Sequence, residues 1–207
     1  MKLTKKDFNN GEYIGEIDFT TKYEGSIEIE GGLGWVKFKR LRVSGRIVAD
    51  RGTGISAGMG ISAGEGILAG TSISAGEGIS AGWGISAGEG ISAGEGISAG
   101  TGISAGTGIS AGWGISAGWG ISAGGVISAK LTLKAGYRIF AGISRWVKNP
   151  TTDQLQIKCG KFEGGEICYG NLVETGLPED ENVNQRAVSP CDHKQTTPFC
   201  SQCGAKL

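Results

Sequence analysis

The residues best suited to chemistry in this chain lie in its final seventeen positions. Cys191, His193, Cys200 and Cys203 place three sulfurs and one imidazole in a short stretch. Cys200-Ser-Gln-Cys203-Gly204 has the spacing of a metal knuckle, in which two thiolates turn toward one ion and the glycine permits the tight return. Together the four residues satisfy a closed tetrahedral zinc site. Four protein ligands leave no open position for a substrate, so the expected zinc is structural. The other reading of Cys200 and Cys203 is a redox-active or free pair of thiols.

Elsewhere the chemistry thins out. His193 is the only histidine in the chain, and as a metal ligand it is unavailable as a general base. Glu65, Glu77, Glu89 and Glu95 could be paired carboxylates, but they read better as solvated charges that keep an otherwise uncharged tract soluble. Gly-x-Gly recurs throughout, yet a phosphate loop needs a strand before it and a helix after it, and neither context is present. Cys159 and Cys168 read as buried or cross-strand thiols, with a second metal or redox pair as the sharper alternative. No catalytic residue is assigned, and the chain is not expected to be an enzyme.

The element that must carry these residues is a repeat. From Ile55 the tract runs Gly-Ile-Ser-Ala-Gly-x, and an aliphatic residue returns every six positions from Ile55 through Ile127, then in degraded form at Leu133 and Ile139. Ile17, Tyr23, Ile29, Trp35, Leu41 and Ile47 keep the same spacing upstream, and an offset around Arg51-Gly-Thr-Gly54 joins the two phases. Six is not a helical period. Ile-Ser-Ala has the inward-outward-inward alternation of a short strand. The following Gly-x-Gly supplies a corner, which glycine eases by tolerating positive φ. The expected fold is therefore all-β: a β-solenoid with Ile and Ala inside, Ser outside, and x at a corner.

Coil size follows from the corner residues. Twelve residues per coil would stack Glu65, Glu77 and Glu89 about 4.8 Å apart, and like charges directly opposite one another are destabilising. Eighteen leaves only Glu77 and Glu95 adjacent and puts Trp83, Thr101, Trp119 and Tyr137 in one column. Eighteen is favoured, three hexads to a triangular coil, giving seven coils that rise ~34 Å. No coil is stable alone, so the array stands or falls collectively.

Trp83, Trp113 and Trp119 occupy x, where Ile and Ala already fill the interior, so they should stand at the surface. Exposed tryptophan is enriched at binding hot spots. These three, with Glu77 and Glu95, are the expected partner-binding residues; the alternative is that the rings pack along glycine-rich outer faces or against the C-terminal tail.

The organisation expected is N-terminal capping strands and first coils at 1–54, the repeat at 55–144, a β-hairpin cap at 145–175, a linker at 176–190 and the zinc tail at 191–207. The hairpin reading comes from Gln154–Cys159 and Glu166–Tyr169 flanking Phe162-Glu-Gly-Gly165.

Composition excludes several classes. Forty of 207 residues are Gly but only four are Pro, and Gly falls alternately two and four apart, which rules out collagen. Twenty basic residues balance twenty acidic ones, so no global field attracts nucleic acid or anionic membrane. The local cluster Lys37, Lys39, Arg40, Arg42 and Arg46 leaves nucleic acid as a weak possibility. No apolar run spans a bilayer, the charged start lacks the apolar core of a secretory signal, and five Cys is an odd number for a disulfide framework. A cytoplasmic location is expected.

Three resemblances add to this. The order Ile-Ser-Ala in Gly-flanked units resembles bactofilins, which implies a right-handed β-helix and, as one alternative, a self-assembling scaffold. Cys200–Gly204, with Phe199 and Leu207 beside it, resembles the closing half of a zinc ribbon; Cys191-Asp-His193 departs from the usual opening half. Tyr137-Arg-Ile-Phe-Ala-Gly142, Trp146 and the Cys-x-x-Cys-Gly end resemble uncharacterised repeat proteins of bacteria and their phages. That last likeness implies a phage-encoded inhibitor of a host defence nuclease, of the anti-CRISPR kind, as the function, with the nuclease as protein partner.

Overall fold

The computed structural model describes residues 1–143 and 149–177. The residues expected to hold zinc, Cys191, His193, Cys200 and Cys203, the expected 176–190 linker beyond Leu177, and Trp146 lie outside the described residues.

The chain winds into a three-sided β-solenoid of stacked parallel strands. Each hexad forms one three-residue strand, and every third hexad hydrogen-bonds to the one below it. Thus Ile73 pairs with Ile91, Ile79 with Ile97 and Ile85 with Ile103, each eighteen positions on. The eighteen-residue coil inferred from the corner charges is the one the chain adopts. On the first face lie Ile27–Ile29, Ile47–Ala49, Ile67–Ala69, Ile85–Ala87, Ile103–Ala105 and Ile121–Ala123. The second runs from Gly34–Phe38 through Thr53–Ala57 and the strands at Ile73, Ile91, Ile109 and Ile127. The third contains Leu41–Val43 and the strands at Ile61, Ile79, Ile97 and Ile115.

Period two within each strand sends Ile and Ala inward. Ile55 through Ile127 are at most 2% exposed, and the partnering alanines at most 5%. Serine stands outward on every face. The result is one continuous apolar column from Ile27 to Ile157, in which neighbouring coils cover each other's isoleucines.

Two features of the N-terminal coils differ from the sequence pattern. Ile27 pairs with Ile47 and Ile47 with Ile67, so these coils take twenty residues, not eighteen. The extra length sits in wider corners such as Asp50–Thr53, where Gly52 turns at φ +76°. Thr53, fully buried, locks that corner: its hydroxyl donates to the Glu30 carbonyl at 2.8 Å and accepts from the Leu33 amide at 3.1 Å. The irregular corners also shift the phase. Val36, not Trp35, fills the interior and pairs with Ile55, leaving Trp35 exposed. Ile17 and Tyr23 only pack partly buried against the end of the core.

The repeat glycines also serve a different purpose from the one expected. No glycine between Gly54 and Gly136 has a positive φ. What the corner demands is space, because a Cβ at Gly82 or Gly94 would collide with the carbonyl oxygen of the glycine one coil earlier, Gly64 or Gly76.

The hairpin expected near the C-terminus does not form. Gln156–Cys159 pairs in parallel with Ile127–Ser128 below and with Asn171–Glu174 above. Lys161–Tyr169 pairs in parallel with the long strand Thr132–Ala141, which bends around a corner to serve the third and first faces. The solenoid edge left open by the repeat offers an unpaired parallel ladder, and both segments complete it instead of folding on each other. The solenoid therefore continues past 144, and the second face stacks eight parallel strands from Gly34–Phe38 to Asn171–Glu174, one more than the seven coils expected.

The opposite end is closed by aromatic packing. Phe8–Asn9 and Glu12–Tyr13 form a small antiparallel pair joined to the second face. Their rings meet Phe19 and Phe38: Tyr13 stacks on Phe38 at 5.4 Å, while Phe8 and Phe19 meet Phe38 edge-on at 5.8 and 5.7 Å. Burial holds the Tyr13 phenol above its ordinary pKa, so it stays neutral in this cluster.

Candidate functional site

Because each coil takes three hexads, the variable residues sort into three vertical columns, one per corner. Backbone bonds fix the third-to-first corner as Glu65, Trp83, Thr101, Trp119 and Tyr137: each amide donates to the carbonyl of the residue before it in the column, at 2.6–3.0 Å. The second-to-third corner holds Met59, Glu77, Glu95, Trp113 and Leu131 by the same ladder. On the first-to-second corner stand Thr71, Glu89, Thr107 and Gly125.

The five residues expected to bind a partner are all at corners, but not on one surface. Trp83 and Trp119 share the first of these columns; Glu77, Glu95 and Trp113 share the second. All three rings stand away from the prism, 62%, 66% and 57% exposed.

The Trp83–Trp119 column walls a groove of about 1120 Å³ along the first face. Its floor is the outward row Val48, Leu68, Ser86, Ser104, Ser122 and Phe140. Tyr137, 70% exposed, continues the wall, and Leu68 is 47% exposed. Tyr137, Leu68 and Phe140 carry no sequence signal taken alone; the coil period brings them beside the tryptophans. Arg46 and Arg138 stand at the two ends of the groove.

A second groove, about 800 Å³, lies between Trp113 and the outward serines of the third face. Its acidic wall is partly neutralised: Arg40 donates to Glu77 at 2.8 Å. This pair also explains how Glu77 and Glu95 stand one coil apart without net like-charge repulsion from both. Glu89, on the remaining corner, accepts from the Ser72 hydroxyl at 3.1 Å.

The basic cluster is dispersed. Lys37 points out from the second face and Arg42 from the third, while Arg46 pairs with Glu28 at 3.5 Å on another corner. These cations run from the second face to the third-to-first corner; Arg40 and Arg42 line the second groove, and Arg40 and Arg46 are each paired with a carboxylate.

Cys159 is buried beneath the last coil and Cys168 is exposed, both as free thiols. Burial and then the neighbouring Glu174 carboxylate push the Cys159 thiol above its ordinary pKa, so it is kept protonated. Among the described residues, no group of three or more His, Cys, Asp and Glu side chains is placed to hold a metal. No helix among them is long and apolar enough to cross a membrane. Compared with protein families, with curated proteins and with solved structures, the chain matches none.

Proposed function

We propose that this chain is a non-enzymatic interaction module, a stiff prism that presents tryptophan and carboxylate side chains from its corners to a protein partner. The observation that carries this reading is the exposure of Trp83, Trp113 and Trp119 at the corners of a prism whose outward strand positions are mostly serine. Large rings held by a rigid ladder lose little conformational freedom on binding, which is what hot-spot residues require. The partner class implied by the Tyr137–Gly142 motif and the Cys-x-x-Cys-Gly end is a bacterial defence nuclease, inhibited by a phage-encoded protein of the anti-CRISPR kind. Free thiols at Cys159 and Cys168 favour a reducing cytoplasm for that encounter.

The tagged full chain is expected to retain a stoichiometric nuclease from host lysate and to block its cleavage of DNA. Changing Trp83, Trp113 and Trp119 together to Ala should abolish capture while leaving the circular dichroism spectrum unchanged. Undiminished capture by the triple variant rules the reading out.

A bactofilin-like scaffold growing end to end is less favoured, because the aromatic cluster around Phe38 covers one end of the core. Nucleic-acid binding is less favoured because Arg40 and Arg46 are already paired with Glu77 and Glu28. We further propose a structural zinc held by Cys191, His193, Cys200 and Cys203, on the strength of their spacing. Metal analysis should return about one zinc per chain, lost in C200S/C203S; zinc-free wild-type protein excludes it.

A further inference from the structure

The corner bearing Trp83 reads almost the same in both directions from Thr101. One coil before Thr101 the column holds Trp83, and one coil after it Trp119. Two coils before, the rung carries Glu65 at the corner and Leu68 on the face; two coils after, it carries Tyr137 with Arg138 at the corner and Phe140 on the face. From Leu68 to Phe140 the outward positions of the first face are Leu68, Ser86, Ser104, Ser122 and Phe140. The row runs on beyond both, to Val48 on one side and Tyr169 on the other, and the centre, Thr101 with Ser104, is small.

We propose that this corner is the interface of a homodimer in which two prisms lie antiparallel about a two-fold axis through Thr101. In that register Trp83 meets Trp119 of the second copy, and Glu65 meets the end of the column that carries its Tyr137 and Arg138. Each contact occurs twice, as an isologous interface requires. The two aromatic ridges meet each other, and the Glu65–Arg138 pairs form a charged rim around an apolar centre, the usual anatomy of such surfaces.

Charge selects this arrangement over the alternatives. Glu65 has no ion pair among the described residues, and Arg138 has only a loose 3.9 Å contact with Glu166 in which both side chains are about two-thirds exposed. A parallel pairing would set Glu65 against Glu65 and Arg138 against Arg138. Pairing through the second-to-third corner, centred on Glu95, would set that carboxylate against its own copy and Glu77 against Trp113. The first-to-second corner, with Thr71, Glu89, Thr107 and Gly125, offers no large apolar side chain, which leaves the third-to-first corner as the self-complementary one. The dimer occupies Trp83 and Trp119 and leaves the Trp113 corner of each copy free, so in the dimer a further protein partner is met by Trp113, Glu77 and Glu95 alone.

Light scattering on the purified full chain at micromolar concentration tests this. A particle of twice the 21.2 kDa chain mass is expected. W83A/W119A should be monomeric with an unchanged circular dichroism spectrum. E65R and R138E should each raise the dimer dissociation constant by about tenfold or more, the scale of a close interfacial charge pair, and E65R/R138E together should restore it. A monomeric wild type, a dimer that survives W83A/W119A, or a charge swap no tighter than the single variants overturns the proposal. Because only pure protein is used, failure here is separate from failure to capture a nuclease.

Discussion

Gly94→Ala is expected to lower the melting temperature by about 6–12 °C, whereas Gly96→Ala, on the other side of Glu95, leaves it within a few degrees. The two glycines look equivalent in the repeat and neither has a positive φ. Their surroundings differ. A Cβ at Gly94 would overlap the Gly76 carbonyl oxygen and crowd its carbon, both backbone atoms pinned by the ladder between coils. Backbone cannot swing aside as a side chain can, so the coils must separate locally. Overpacking of this kind costs roughly 3 kcal/mol, and at this chain length each kcal/mol moves the midpoint by about 2–4 °C. At Gly96 the nearest atom, the Gly114 carbonyl oxygen, is 3.5 Å away, an ordinary contact. Alanine there also restricts the unfolded chain, which offsets part of any strain. Thermal melts of the two variants decide the matter; equal midpoints would show that the glycines are kept for turning, not for closeness.

Phe38→Ala should be at least as damaging. Phe38 is 6% exposed and contacts Phe8, Tyr13 and Phe19 together. Truncating a buried phenylalanine costs about 3–5 kcal/mol. Here the loss falls where no further coil can share it, since the ring cluster is what ends the column. Opening that end also exposes strand edges, which invites aggregation. The expected result is a midpoint about 10 °C lower or more, together with rising light scatter well below it. Trp113→Ala, removing an exposed ring, is the control and should shift stability by no more than about 0.5 kcal/mol. A Phe38 variant as stable as the Trp113 variant would mean that the cap contributes nothing.

The hexad was readable because one physical demand repeats without variation. Ile and Ala must be buried, Ser need not be, and a six-residue period satisfies neither helix nor open sheet. The coil size was readable for a subtler reason: twelve residues would stack Glu65, Glu77 and Glu89, whereas eighteen leaves Glu77 and Glu95 as the only such neighbours, and in the fold Arg40 stands against Glu77. Where the repeat decays, local pattern misleads. Trp35 keeps the spacing yet lies outside, since the neighbouring corners differ in length and only the pairing of Val36 with Ile55 reveals it. Phe162-Glu-Gly-Gly165 has the composition of a hairpin turn, but its flanks find a stronger partner in the solenoid edge than in each other.

The candidate surface divides along the same line. That Trp83, Trp113 and Trp119 face solvent follows from the repeat, because x has no room inside. That Trp83 and Trp119 stand together with Tyr137, Leu68 and Phe140, while Trp113 joins Glu77 and Glu95 elsewhere, depends on how many hexads close a coil. By itself, then, the amino-acid order determined a dry Ile-Ala interior, an outward Ser row and the variety of side chains offered at the corners, all of them consequences of burial and strand alternation. Which face residues join the corner columns, which glycines are indispensable and where the column stops were decided only by coiling, since those properties belong to contacts between residues eighteen or more positions apart.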